Sequence, residues 1–305
     1  MSQRKQPSDD GLRERLTNGS PLLLDAAMGT ELERRGVPSR LPLWSARALI
    51  EAPDEVLAIH RENAQAGADV LTANTFRTHR RTLENEDLGD RAQGLTRRAV
   101  ELARESTRGV PRRVFVVGSL SPLEDCYRPD LVPEVNELER EHREQALALA
   151  EGGVDGILVE TQNSAVELIR AVRAARETGL PVIASVVTDG EGHLLSGEEI
   201  SAAVETLLEE GPDAVGVNCV PARALRRDLR RVAECAASLP LVAYGNLGPP
   251  TDSEGLRFTD DLAAEDYAVL AKDWLDLGAR LIGGCCGTTA AHTAALRQLI
   301  DSTFR

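Results

Sequence analysis

PLLLDAAMGTELERRG, residues 21–36, decides between the two architectures open to a long chain of alternating elements. An apolar run from Leu22 to Leu24 leads into Asp25 and two alanines, and a helical stretch follows. In a doubly wound open sheet the turn after the first strand normally carries a glycine-rich phosphate loop. This turn has neither G-x-G-x-x-G nor a phosphate-loop lysine. The same grammar recurs in ADVLTANT (68–75), RRVFVVGS (112–119), VDGILVET (154–161), LPVIASVV (180–187), PDAVGVNC (212–219), LPLVAYGN (239–246) and ARLIGGCC (279–286). Their unbroken apolar character suits strands covered on both faces, as in a parallel sheet. Ala165, Leu168, Ile169 and Val172 recur at helical spacing between two of them, as do Ile200, Ala203, Val204 and Leu207. Glycines in AQAGAD, AEGGVD, RETGLP and LDLGAR stand where a helix must stop before the next strand. Eight strand–helix units in a chain of this length describe an α/β fold, the (β/α)8 TIM barrel.

Residues 1–20 read as a mobile lead-in with one short helix, and residues 21–305 as a single barrel domain. No low-complexity linker divides them. The balance of 35 Lys and Arg against 49 Asp and Glu gives a net charge of −14, which argues against nucleic-acid partners, because those need clustered cations. No stretch approaches the ~20 apolar residues of a membrane span. The start, MSQRKQPSDDG, lacks the apolar core of a signal peptide, so a cytoplasmic protein is expected. In a reducing compartment the five cysteines read as metal ligands, nucleophiles or packing residues, not disulfide partners.

Active sites of such barrels lie at the carboxyl ends of the strands. Those ends carry Asp25, Asn74, Ser119, Glu160, Asn218 with Cys219, Asn246, and Cys285 with Cys286. In a closed barrel strands six and eight flank only strand seven, so sulfurs from both can converge. Cys219, Cys285 and Cys286 could then hold Zn²⁺ with the fourth position open, as catalytic zinc sites do. The alternative is three small buried strand residues, a common use of free cysteine. Adjacent residues on a regular strand face opposite ways. Gly283, Gly284 and Gly287 would let the backbone turn sharply enough to bring Cys285 and Cys286 together. Spacing alone leaves both readings open.

GGCCGTT (283–289), GVNC (216–219) and LLDAAMGTELERRG (23–36) together resemble the homocysteine S-methyltransferase family, over roughly residues 20–300. The resemblance implies a (β/α)8 barrel in which Cys219, Cys285 and Cys286 bind zinc. It implies a methyl transfer from a small donor to the thiol of homocysteine, giving methionine. Asp25 and Glu160 match acidic positions that help bind the substrate amino group. The backbone N–H groups of Met28, Gly29 and Thr30 are placed to receive its carboxylate. Asn246, in YGNLGPP, is expected to orient substrate or cap the metal, unless it is a turn-forming asparagine. Asn74 and Thr75 match a segment near the pocket, and Trp44 could pack against a cationic sulfonium.

S-methylmethionine or S-adenosylmethionine is favoured as donor over betaine, because 3% aromatics offer no evident cage for a quaternary ammonium. The loops SLSPLEDCYRPDLVP and YGNLGPPTDSEGL depart from the family pattern. Transfer to another small thiol, betaine-like donors and a non-catalytic zinc–thiol redox sensor are the alternatives. Cys235 reads as structural, Cys126 matches no zinc ligand, and no role falls to His60, His79, His142, His193 or His292. DGEGHLLSG lacks the D-x-H-x-x-G pattern of cobalamin modules, so no built-in cobalamin domain is expected.

Overall fold

The computed structural model describes residues 10–236, 238–248 and 262–304. Most of the unusual loop YGNLGPPTDSEGL therefore lies outside the described residues. Each apolar run becomes one parallel strand: β1 (Leu22–Leu23), β2 (Val70–Ala73), β3 (Phe115–Leu120), β4 (Gly156–Gln162), β5 (Val182–Val186), β6 (Ala214–Pro221), β7 (Leu241–Asn246) and β8 (Ala279–Gly284). The ladder runs β1-β8-β7-β6-β5-β4-β3-β2. It closes through a parallel bridge between Leu24 and Val70, where Asp25 N donates to the Val70 carbonyl at 3.0 Å. The fold is a single-domain (β/α)8 TIM barrel.

Why the runs read as continuously apolar is visible in the packing. Inward-facing Leu22, Val70, Val117, Leu158, Ile183 and Leu281 fill the barrel, while alternate residues such as Leu23, Val116, Ile157 and Val215 face the helical ring. Both faces are removed from water, so neither set can be polar. Helix Ala165–Arg176 begins on a Ser164 cap, and it buries Leu168 and Val172 as the spacing requires. Helices Pro53–Ala66 and Val135–Gly152 end on Gly67 and Gly153 in the left-handed conformation that glycine adopts without penalty.

Part of the lead-in is a structural element. Helix Asp10–Thr17 places Leu12 and Leu16 in the interior cluster, which plugs the amino-terminal end of the barrel. Among the described residues no helix is long and apolar enough to cross a membrane.

Candidate metal and substrate site

Two backbone kinks build the floor of the opposite end. β6 loses register with β7 between Asn218 and Pro221, and Cys219 takes φ +53° there. β4 loses register with β5 between Val159 and Gln162, and Thr161 takes φ +57°. A left-handed non-glycine residue costs on the order of 1–3 kcal/mol and persists only when its surroundings enforce it. Asn218 does the enforcing. Its Oδ1 accepts from Thr161 N at 2.9 Å and Ser185 Oγ at 2.8 Å, and its Nδ2 donates to Thr161 Oγ1 at 2.8 Å. Irregularities of this kind re-aim side chains at the strand end.

Cys285 and Cys286 escape the alternation of a regular strand because β8 ends at Gly284. Cys285 N then donates to the Gly245 carbonyl at 2.8 Å, and the Thr288 hydroxyl donates to the Cys285 carbonyl at 2.7 Å. Gly287 completes the turn at φ +85°. The result places one sulfur of each of Cys219, Cys285 and Cys286 within 4.8 Å of the others, a group that could hold a metal ion. Cys219 and Cys286 sulfurs are 3.7 Å apart. Hydrogen bonds from the Cys285 and Cys286 thiols hold Cys219 well below the usual thiol range, while giving those bonds to Cys219 pushes Cys285 and Cys286 up. Three converging sulfurs, Cys219 buried and Cys285 and Cys286 half-buried, form a donor set suited to a soft cation.

The sulfurs face a cavity of about 160 Å³ that is also lined by Asp25, Met28, Gly29, Asn74 and Glu160. Glu160 is buried, with Oε1 accepting from Ser119 Oγ at 2.5 Å and Oε2 from the Tyr244 hydroxyl at 3.2 Å. Burial outweighs those bonds and raises its pKa to about 7. Asp25 accepts from Thr72 N at 2.9 Å and Thr72 Oγ1 at 3.0 Å. Burial again dominates, and its pKa rises to about 8. His60 Nδ1 lies 3.9 Å from Asp25 Oδ2, but burial lowers the imidazole pKa to about 4, which leaves it neutral. Neither carboxylate has an Arg or Lys partner among the described residues. Among the described residues the site thus holds two buried acids that no Arg or Lys pairs with.

The remaining expected residues divide. Asn74 lines the cavity, but Ser45 engages its amide, with the Ser45 hydroxyl at 2.6 Å and the Ser45 carbonyl at 2.9 Å. Gly29 packs beneath the Trp44 indole, where any Cβ would overlap the ring nitrogen. Thr30 does not line the cavity; its hydroxyl accepts from Gly287 N at 3.0 Å and ties helix Gly29–Arg34 to the cysteine turn. Asn246 also stands outside the lining, its Nδ2 donating to the Cys219 carbonyl at 2.9 Å and its Oδ1 accepting from Gly248 N at 3.1 Å. These two side chains brace the thiols. Thr75 is a loop residue whose hydroxyl bonds Ser119 on both sides. Cys235 packs at the core edge, whereas Cys126 lines the cavity beside Tyr127.

The sequence profile of the homocysteine S-methyltransferase family matches residues 22–300. The chain belongs to this family. Within it, the chain is 33% identical to the methionine synthase of Mycobacterium tuberculosis, over 92% of this chain and 25% of that protein. It therefore spans about a quarter of the length of the mycobacterial methionine synthases it matches. The homocysteine S-methyltransferase of Escherichia coli is 32% identical, over 94% of this chain and 97% of that one. The crystal structure of the metallated homocysteine methyltransferase MmuM from Escherichia coli superposes with a TM-score of 0.81 at 29% identity, covering 94% of this chain and 99% of that one.

Tyr244, Ser119 and Tyr127 have functional positions that the sequence reading left unassigned. Tyr244 sits inside an apolar strand, where an aromatic residue reads as core; burial and the neighbouring Glu160 keep its phenol protonated, well above the usual range. Ser119 was visible as a strand end, but nothing in the sequence paired it with Glu160. The Tyr127 hydroxyl lies 3.3 Å from the Cys219 sulfur, at the end of a loop with no periodic signal.

Proposed function

We propose that this chain transfers a methyl group from a small donor, S-methylmethionine or S-adenosylmethionine, to the sulfur of homocysteine, giving methionine, at a Zn²⁺ held by Cys219, Cys285 and Cys286. The observation that carries the reading is the sulfur cluster. A tetrahedral zinc with Zn–S bonds of about 2.3 Å spaces its sulfurs ~3.8 Å apart. The 3.7 Å between Cys219 and Cys286 fits that spacing, and the cluster faces a cavity carrying two buried acids. When bound, zinc supplies the Lewis acidity that keeps a fourth, substrate sulfur in its nucleophilic thiolate form at neutral pH.

The chain's own residues do the positioning. Glu160 and Asp25 receive the homocysteine ammonium, and Ser119, Tyr244 and Thr72 fix the carboxylates that receive it. Both acids ionise as that cation arrives, because an opposite charge favours the charged form. The Met28 to Thr30 backbone is placed to take the homocysteine carboxylate. Orientation of the acceptor toward the donor supplies much of the rate advantage in a displacement of this kind. The bond between donor sulfur and methyl breaks as the new sulfur–methyl bond forms; its electron pair stays on the donor, which leaves as a neutral sulfide.

A reducing cytoplasm is the compartment in which these thiols stay available. The test is methionine formation by zinc-loaded protein from homocysteine and a panel of S-methylmethionine, S-adenosylmethionine and betaine. Turnover with either sulfonium is expected. Zinc release on oxidation without turnover on any donor would contradict the reading and favour a redox sensor.

A further inference from the structure

Two charged side chains that line the cavity, Arg77 and Asp125, are left without a role by the acids and thiols, and Asp125 Oδ1 is engaged by Tyr127 N at 2.9 Å. Arg77 follows β2 on the loop that carries Asn74 and Phe76; it lines the cavity and is only 5% exposed. Its Nη1 donates to the Glu124 carbonyl at 2.9 Å, and its guanidinium carbon lies 5.4 Å from the Phe76 ring centroid. Among the described residues no carboxylate pairs with it. Arg81, four positions on, shows what ordinary pairing looks like here: Glu141, Glu137 and Glu124 surround its guanidinium at 2.8, 2.9 and 3.2 Å. A guanidinium offers five N–H donors in a planar fork, and a buried cation is costly unless an anion meets it. Among the described residues no carboxylate takes that place, and Arg77 borders the cavity.

The surroundings say which ligand would bring it. The homocysteine groups are already accounted for by the acids and the Met28 to Thr30 backbone. Arg77 shares the cavity lining with Phe76, Trp44 and Tyr127. The Tyr127 hydroxyl lies 3.3 Å from the Cys219 sulfur, so these side chains reach the thiols. Aromatic side chains suit an onium cation, and the Arg77 fork suits a carboxylate held through two parallel bonds.

We propose that Arg77 binds the carboxylate of the methyl donor. This rests on the methyl-transfer reading and assigns a specificity residue for its donor. Two onium classes share the required carboxylate, sulfonium amino acids and trimethylammonium acetate, and the experiment separates them.

Calorimetric titration of the zinc-loaded protein would use S-methylmethionine, its carboxamide, and trimethylammonium acetate. The wild type should bind S-methylmethionine ~10-fold or more tightly than the carboxamide, the scale of one charge-assisted hydrogen bond. Arg77→Met should bring that ratio close to one, and Arg77→Lys should keep part of it. Tighter binding of trimethylammonium acetate than of S-methylmethionine would assign the carboxylate to that class. Homocysteine binding and circular dichroism of both variants report whether the mouth is intact, since Arg77 also anchors the Glu124 carbonyl. An unchanged ratio in Arg77→Met, or no acid preference in the wild type, overturns the proposal even if methyl transfer is found. An Arg77-dependent acid preference without transfer to homocysteine would support Arg77 as the anion receptor and overturn the transfer reading alone.

Discussion

The two ends of the barrel treat their acids in opposite ways. At the amino-terminal end, Asp69, Asp155 and Asp213 stand immediately before β2, β4 and β6. Each accepts a strand N–H, from Leu23 at 3.0 Å, Val116 at 2.7 Å and Val182 at 2.8 Å. Each also meets an arginine: Arg297 with Asp69 at 2.9 Å, Arg104 with Asp155 at 2.6 Å, and Arg13 with Asp213 at 2.7 Å. At the carboxyl-terminal end, Asp25 and Glu160 accept hydrogen bonds from hydroxyls and a backbone N–H but pair with no arginine or lysine among the described residues. The first arrangement stitches strands together. The second leaves two buried acids without a cationic partner, so burial raises their pKa to about 7 and about 8. The proposed cationic substrate group would ionise them.

That contrast can be broken most sharply at Glu160. Glu160→Gln should weaken homocysteine binding by about 1.5–3 kcal/mol, or roughly 10- to 100-fold, the worth of a charge-assisted hydrogen bond. Zinc content should be unchanged, because the carboxylate is not a metal ligand. Calorimetric titration with homocysteine at neutral pH checks it, and an unchanged affinity would remove the ammonium site.

Asp213→Asn should do the reverse. Homocysteine binding should stay as it is, while unfolding free energy falls by about 1–3 kcal/mol as Arg13 and Arg176 lose their shared partner and Val182 N its acceptor. Urea denaturation gives the value. The partners are partly exposed, so the lower half of that range is expected.

The smallest effect is a slope. Glu160 and Asp25 hold their protons up to about pH 7 and 8 in the folded chain, against ordinary values of 4.5 and 3.8. Between these limits the folded state binds more protons than the unfolded one, so their contribution to stability is fully present at low pH and is lost as pH rises through 7 and 8. His60, neutral above about pH 4, does not offset this. The urea midpoint of metal-free protein should therefore drift downward from pH 5 to 8 through these groups, and Glu160→Gln should flatten the drift.

The sequence carried the barrel because each strand had to be apolar on both faces, which left VDGILVET and ARLIGGCC unmistakable. It carried the thiols and the two acids because a strand end is a fixed address in this fold. It did not carry the supports. Asn218 was visible as a strand end, but its grip on Thr161 depends on a kink that no local pattern announces. Asn246 borders the mouth, and only side-chain direction shows it bracing the Cys219 carbonyl; the Thr30 hydroxyl, which no pattern singles out, braces the cysteine turn. Arg77 carries no local signal, and its burial is a tertiary fact.

The most direct test of the central claim, that this rim is built around a metal held by three thiolates, is zinc per chain in Cys285→Ser. Serine keeps the size but offers a hydroxyl that stays protonated at neutral pH. Atomic absorption should find most of the zinc lost while circular dichroism shows the barrel intact, since a packed core of this size does not depend on a metal to fold. Cys235→Ser should keep its zinc. A Cys285→Ser protein with full zinc and normal methyl transfer would contradict the account.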